Sequence, residues 1–214
     1  MASPPPFTLS RVDERDFAEI IEVQYRSFPD PWVRDVFVGP DTPENKERLR
    51  KEHIQRSKDE PQDYWIKVTD KTTGKIIAAS NWKINPSIVP DHDKYEPTEF
   101  SWLQNDPKKL EKASNYIRTM IETRKKCFTE PYVQLYMCCT DPAYARRGAG
   151  SMMLKWGVDL ADQLFLPAWV EASEAGSMLY QTHGFAIHVK KEGSGTLMYR
   201  PARPSTIEGG KSAP

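Results

Sequence analysis

The sequence lacks several features that would place it in a special class of protein. No apolar stretch approaches the length of a membrane span. The first residues, Met-Ala-Ser-Pro-Pro-Pro, lack the basic start and apolar centre of a secretory signal. The three cysteines, two of them adjacent, are too few for a disulfide framework. We therefore expect a soluble protein of a reducing compartment, the cytoplasm by default, with the nucleus left open.

The chain also lacks net charge, because its 30 lysines and arginines balance its 30 aspartates and glutamates. No global field then attracts nucleic acid or an acidic membrane, and we expect neither as a partner. A chain of 214 residues is long enough for one substantial core. We predict one domain over residues 7–200, with a disordered start (1–6) and a disordered tail (201–214) that contain little apolar surface.

Hydrophobic spacing predicts an α/β protein whose first half contains a hairpin between helices. Asp13 is an expected N-cap, followed by an amphipathic helix, and Thr42 starts a second, highly charged helix. Gly74 suits the turn of a hairpin. The expected elements are a strand at 7–12, the helix to 28, a helix at 42–56, strands at 64–69 and 75–84, an irregular insertion or lid at 85–107, and a helix at 108–128.

The second half alternates strands and helices more regularly. A nearly continuous apolar run at 132–140 is typical of a central strand. The helix that follows it has Met153, Trp156, Gly157, Leu160, Ala161 and Leu164 on its expected inward face. A short strand at 167–171, a short helix at 176–183 and a final strand pair at 185–190 and 196–200 complete the prediction.

Residues 141–151, between the apolar strand and the helix, have the composition of an anion-binding turn. Glycines let a backbone approach a phosphate closely, and the N–H groups of a helix start are unpaired and partly positive. A dinucleotide site is disfavoured, because Met153 stands where its third glycine belongs. A P-loop is disfavoured because no Lys-Ser or Lys-Thr follows Gly150. A plain helix start remains the structural alternative.

This turn, the sequence 152–157 after it, Glu171-Ala-Ser173 and Leu179-Tyr-Gln-Thr-His-Gly-Phe185 together resemble the GNAT superfamily of acyl-CoA-dependent acetyltransferases, most closely its small fungal members. The resemblance implies a mixed, mostly antiparallel central sheet that is splayed at its middle and flanked by helices. It also implies acetyl-CoA as a co-substrate, with no metal. One departure is visible: Ala145 occupies the position where the family has Arg or Gln.

The resemblance also implies roles for individual residues. Tyr180 corresponds to the family's general acid, which protonates the departing thiolate. Ser173 is a candidate for orienting the cofactor or a water. The residues implied in binding the pyrophosphate and the pantetheine arm are Cys138, Cys139, Thr140, Arg146, Arg147, Gly148, Ala149, Gly150 and Ser151.

The remaining chemistry-bearing residues leave alternatives open. The sequence does not identify the general base: the candidate carboxylates Glu96, Glu99, Glu171 and Glu174 are each favoured as surface charges, and a water chain is an alternative. Cys138 or Cys139 with His183 could form a thiol acyl-enzyme, although packing is the favoured role of both thiols. Asp91-His-Asp93 is too local for a firm metal site. Four tryptophans are candidates for an acceptor pocket or for the core: Trp32, Trp65, Trp82 and Trp102.

The sequence thus predicts transfer of an acetyl group from acetyl-CoA to a small-molecule or peptide amine, by direct attack in a ternary complex. The insertion at 85–107 and the first two helices are expected to shape the acceptor pocket. Two alternatives remain: an O-acetyltransferase of a small hydroxylated metabolite, and an idle CoA-binding or interaction module.

Overall fold

The computed structural model describes residues 6–92, 100–190 and 195–203, which form one mixed sheet with helices on both faces. The seven strands are β1 (Phe7–Arg11), β2 (Asp63–Asp70), β3 (Ile76–Asn85), β4 (Tyr132–Thr140), β5 (Ala168–Ala172), β6 (Ala186–Lys190) and β7 (Thr196–Arg200). Their order across the sheet is β1-β2-β3-β4-β5-β7-β6. The α/β class predicted from the sequence is confirmed.

Within the described residues, six α-helices connect these strands: α1 (Phe17–Ser27), α2 (Pro31–Phe37), α3 (Pro43–Asp59), α4 (Pro107–Cys127), α5 (Ala149–Gln163) and α6 (Glu174–Gln181). Three of them begin with a side-chain cap followed by proline, at Asp30, Thr42 and Asp106. This arrangement satisfies a free N–H group and presets the first helical φ angle. Asp13 forms the predicted cap, in a reciprocal capping box with Asp16. The short helix α2 was not predicted.

The sheet is splayed between its two central strands. All neighbouring strands are antiparallel except β4 and β5, which are parallel and pair at three positions only, ending at Leu135 and Val170. Beside this point β4 contains one extra residue, Tyr136, because Asn81 pairs with Met137 whereas Trp82 pairs with Leu135. A bulge of this kind bends its strand and re-aims a side chain. The predicted mixed sheet with a central splay is confirmed.

Two hydrophobic clusters lie on opposite faces of the sheet. Ala78 belongs to the cluster that includes α5, and its neighbour Ala79 belongs to the cluster that includes α1, as alternating strand residues should. The indole of Trp82 lies directly against Gly157 of α5, where a Cβ atom would not fit. Leu164 is a wrong prediction, because α5 ends at Gln163 and Leu164 is 38% exposed.

The described part of the predicted insertion is partly ordered against the core. Phe100 and Leu103 are buried beside Ala113 and Ile117 of α4. Residues 93–99, which include Glu96 and Glu99, lie outside the described residues, and so do most of the predicted disordered ends, 1–5 and 204–214. In the ranges that the structure describes, no helix has both the length and the apolar character needed to cross a membrane.

Candidate functional site

A cavity of about 300 Å³ lies at the splay of the sheet. One side is formed by the ends of the two parallel strands, Leu135 to Cys138 of β4 and Val170 to Ser173 around the end of β5. The other side is formed by Phe28, which follows α1, and by residues of α2 and α4. The splay therefore opens a space between two strands that would otherwise be closed by backbone hydrogen bonds. This size is at the lower end for small-molecule pockets.

Tyr180, the predicted general acid, lines this cavity and is only 8% exposed. Its ring lies over the first turn of α6, since a Cβ atom on Gly176 would be 2.9 Å from the Tyr180 Cε2 atom. Burial raises the pKa of the phenol well above its ordinary value. Tyr180 therefore stays protonated near neutral pH, as a proton donor must.

The two adjacent cysteines lie on opposite sides of β4. Cys138 lines the cavity, whereas Cys139 packs with α1 and its Sγ donates to the carbonyl oxygen of Ala79 at 3.4 Å. Burial raises the pKa of Cys138 to about 12 and also raises that of Cys139. Both thiols are therefore protonated and poor nucleophiles. The imidazole of His183 lies 2.9 Å from the Ser151 hydroxyl, and His183 does not line the cavity that Cys138 lines.

The glycine turn leads directly into α5. Gly148 is the N-cap residue with a φ angle of +95°, and among the described residues no side chain caps the helix. The first N–H groups of α5 are thus left for another acceptor. Arg146, at a φ angle of +60°, is exposed. The guanidinium of Arg147 lies 5.0 Å from the ring centre of Tyr144 and 5.3 Å from that of Phe7.

The two glycines of the turn are needed for different reasons. Gly148 has open space around it, so only its positive φ angle favours glycine. At Gly150 a Cβ atom would be 2.9 Å from the Leu179 Cδ2 atom, so its small size lets α6 approach α5. Ala149 is buried in the same region. The turn therefore holds the helix that carries Tyr180 as well as offering free N–H groups.

Two further predicted residues have structural partners. The Ser173 hydroxyl caps α6 by accepting from the N–H of Gly176 at 3.2 Å, and Ser173 also lines the cavity. Thr140 lies at the end of β4, where its carbonyl oxygen accepts from the Ser27 hydroxyl at 2.8 Å. Contact of either residue with the co-substrate stays a prediction.

Sequence reasoning missed a charged pair in the wall of the cavity. Arg124 of α4 is 4% exposed and donates from Nε to Glu171 of β5 at 3.1 Å, with a second bond from Nη2. From the sequence, Glu171 is a candidate base and part of the Glu171-Ala-Ser173 motif, with no partner predicted. A signal was present for Arg124, because it continues the inward face of α4 formed by Ile117, Met120 and Ile121. A charged side chain at an inward position needs a buried partner.

Tyr136 is the other residue that was missed. It lines the cavity at the bulge of β4, and Arg56 of α3 hydrogen-bonds its phenol. The Lys83 Nζ atom is 5.3 Å from the centre of the ring, and Arg124 Cζ is 5.8 Å from it. Three cations from three different elements thus surround one phenol. The position of the Tyr136 ring depends on the bulge of β4, and the sequence contains no signal that predicts this bulge.

Of the four candidate tryptophans, only Trp32 lines the cavity. Trp65 packs against Phe17 and Trp82 against α5, so both belong to the core. Trp102 donates to the backbone carbonyl of Asp35 at 2.8 Å. Asp93 lies outside the described residues, and the ring of His92 packs on Phe128 and Tyr132. Within the described ranges, no group of three His, Cys, Asp or Glu side chains could hold a metal.

Comparison of the fold with solved structures gives many similar acetyltransferases. One from Corynebacterium glutamicum, described as histone acetyltransferase HPA2 and related acetyltransferase, has a TM-score of 0.60 and 18% identity over 94% of this chain and 99% of its own. A mosquito arylalkylamine N-acetyltransferase like 5b has a TM-score of 0.57 and 15% identity, over 91% of this chain and 93% of its own. The PaiA N-acetyltransferase of Thermoplasma acidophilum, in complex with coenzyme A, has a TM-score of 0.52 and 13% identity, over 91% of this chain and 98% of its own.

Neither protein-family models nor curated protein sequences give a match to this chain. The similarity is therefore one of tertiary structure, and it extends over nearly the whole chain. Together with the splayed sheet, it shows that this chain has the fold of the GNAT superfamily of acetyltransferases.

Proposed function

We propose that this protein transfers an acetyl group from acetyl-CoA to an amine by direct attack in a ternary complex. One observation carries the proposal: the cavity opens at the splay of β4 and β5 and has the buried, protonated Tyr180 in its wall. A general acid in a cavity between separated strands is the arrangement that thioester aminolysis needs.

The donor side of this reaction uses the turn at 146–151 and the open edges of β4 and β5. The uncapped start of α5 supports binding of the pyrophosphate through backbone N–H groups, with Arg146 adding positive charge nearby. The exposed edge of β4 beyond Leu135 supports binding of the pantetheine arm in an extended form. Ala145 is consistent with a seat formed mainly by backbone.

The reaction balances without a covalent enzyme intermediate. An acceptor that arrives as an ammonium first loses one proton to solvent; the neutral amine nitrogen then attacks the carbonyl carbon of the thioester, so a C–N bond forms and the C–S bond breaks. The departing thiolate takes the phenolic proton of Tyr180, and the nitrogen loses one proton to a base. That proton restores Tyr180 through solvent. The protonated cysteines offer no competing nucleophile.

The base on the acceptor side is proposed to be Glu171 or a water held near it. Glu171 lines the cavity, and its carboxylate accepts hydrogen bonds from Arg124. A water between Glu171 and the amine would allow proton transfer over a longer path.

Two measurements test the proposal. CoA at ~100 times its dissociation constant should stabilise the protein by roughly 2.7 kcal/mol in thermal unfolding. Acetyl-CoA-dependent release of free thiol should appear with at least one member of a panel of primary amines. Tyr180→Phe should lower this turnover by roughly 10²-fold or more while CoA stabilisation is retained, because only the proton donor is removed.

Tyr199→Phe is the matched control, because Tyr199 packs on Trp169 outside the cavity. It should leave turnover unchanged. Full activity in Tyr180→Phe would remove that residue from the acid role, and absence of CoA stabilisation would refute the donor assignment. CoA binding without turnover of any amine would favour an idle CoA-binding module, and turnover of hydroxyl acceptors alone would favour an O-acetyltransferase.

A further inference from the structure

The acceptor end of the cavity is lined mainly by aromatic rings. Trp32 and Phe37 of α2 both meet Tyr116 of α4 edge to face, with ring centres 6.1 Å and 6.0 Å apart. Phe28, at the end of α1, and Tyr136 of β4 add two more rings to the lining. Edge-to-face contacts fix the orientation of each ring, so this surface is formed before a ligand arrives.

The backbone that carries these rings is also held in place. Asp30 caps α2 by accepting from the N–H of Trp32 at 2.8 Å. The indole N–H of Trp102 donates to the carbonyl oxygen of Asp35, also at 2.8 Å. The ammonium of Lys112 lies 4.1 Å from the centre of the Trp32 ring. A preformed apolar wall loses little conformational entropy when a flat ligand packs on it.

The charges of the cavity limit what else could bind there. Arg124 and Glu171 engage each other, so the interior presents no large excess of either sign. A ligand body with several charges would lose its hydration without gaining matched partners. Asp30 lines the cavity and is exposed, and no ion pair joins it to a cation in the described ranges. The rim thus carries a negative charge suited to attracting one cationic group.

We infer that the acceptor is a primary amine carried on a single aromatic ring system. The ring packs on Trp32, Phe37 and Tyr116, and the amine extends toward the splay beside Tyr180. This inference rests on the proposed function and specifies its substrate class. The aromatic surface distinguishes this class from polyamines, which carry charge along their length, and from peptides, whose polar backbone would meet apolar walls.

The test compares three acceptors with the intact protein: 2-phenylethylamine, spermidine and a short peptide with a free N-terminus. We expect kcat/KM for 2-phenylethylamine to exceed those of the other two by roughly tenfold or more, the scale on which an apolar pocket discriminates. Equal or better use of spermidine or the peptide would overturn the inference and leave the proposed function intact. Failure of every amine, with CoA stabilisation present, would refute the proposed function itself.

Two variants locate the ring-binding surface. Val33→Phe fills the cavity from α2, and Trp32→Leu removes one half-buried ring from its wall. Each should raise KM for 2-phenylethylamine by roughly tenfold, with CoA stabilisation unchanged. Ile187→Phe on the edge strand β6, 52% exposed, is the matched control and should leave KM unchanged. An unchanged KM in both variants, at normal thermal stability, would place the acceptor elsewhere.

Discussion

The donor side and the acceptor side of the cavity are built in different ways. The donor side is centred on one local segment, the turn at 146–151 and the start of α5 that follows it directly, and helix α6 packs on this start. The acceptor side combines Phe28, which follows α1, with residues of α2 and α4, and its key contact joins Arg124 to Glu171 across 47 positions of sequence. The donor side thus depends on backbone geometry and glycines, whereas the acceptor side depends on paired charges and packed aromatic rings.

The largest loss of stability should appear when a long-range contact on the acceptor side is broken. Arg124→Met leaves Glu171 beside an apolar wall without its cation and should lower the free energy of unfolding by about 2–3 kcal/mol, near the lower limit for buried pairs because Glu171 is 25% exposed. Denaturant unfolding measures this change. KM for the amine should rise as well, with CoA stabilisation retained.

Arg118→Met on the same helix is the matched control, because Arg118 is exposed and its Nη2 atom donates to the neighbouring Asn115 at 2.8 Å. Its effect should be small. The double variant Arg124→Met with Glu171→Gln should recover part of the lost stability, since the isolated charge is gone. An equal loss in the single and double variants would show that packing by the Arg124 side chain, and not its charge, holds the wall.

A smaller effect is expected on the donor side, where the two glycines of the turn separate backbone geometry from packing. Gly148→Ala should cost about 1 kcal/mol of stability because a residue with Cβ is strained at a positive φ angle. Gly150→Ala meets only the end of the Leu179 side chain. Its cost should be lower, and Leu179→Ala should remove it. Thermal unfolding with and without CoA measures both.

The opposite result would be that, in a Leu179→Ala background, Gly150→Ala lowers the free energy of unfolding more than Gly148→Ala does. That result would mean that Gly150 is required by its backbone conformation or by the co-substrate, and not by the packing of α6. A loss of CoA stabilisation in Gly148→Ala without loss of intrinsic stability would assign this residue to the pyrophosphate seat directly.

The smallest effect at neutral pH concerns His53 of α3, on the sheet face that carries α1. Its ring packs between Trp65 and Phe17, at 4.9 Å and 5.6 Å, and burial lowers its pKa to about 3. The unfolded chain binds a proton at this residue below pH ~6.5, whereas the folded protein does not until about pH 3. The free energy of unfolding should therefore fall as the pH decreases from 6.5 toward 3.

His53→Phe keeps a ring in this position and removes the titration. The variant should therefore lose less free energy of unfolding than the wild type between pH 6.5 and 4, because the contribution of His53 to this loss is absent. Stability at pH 7 should change little, because the wild-type ring is already neutral there. An identical pH profile in both proteins, from denaturant unfolding at several pH values, would show that His53 is accessible to protons in the folded state.

Much of the fold was predictable because its signals are local. The cap at Asp13, the proline after Thr42, the hairpin around Gly74 and the apolar strand β4 each contain their own cause within a few residues, and the structure confirms them. Helix α2 was missed because it is one of the shortest and lies between prolines. Leu164 was misplaced since periodicity alone does not tell where a helix ends.

The sequence by itself determined the secondary structure around the glycine turn and carried the resemblance that predicts a role for Tyr180, because each of these signals lies within a short run of neighbouring residues. Only the tertiary structure decided what surrounds Tyr180 and what the acceptor meets. The ring of Tyr180 lies against Gly176, and the Leu179 side chain leaves no room for a larger residue at Gly150. The bulge at Tyr136 places the phenol of this residue among three cations. These contacts join residues from different elements, and such distances are set by packing and not by sequence spacing.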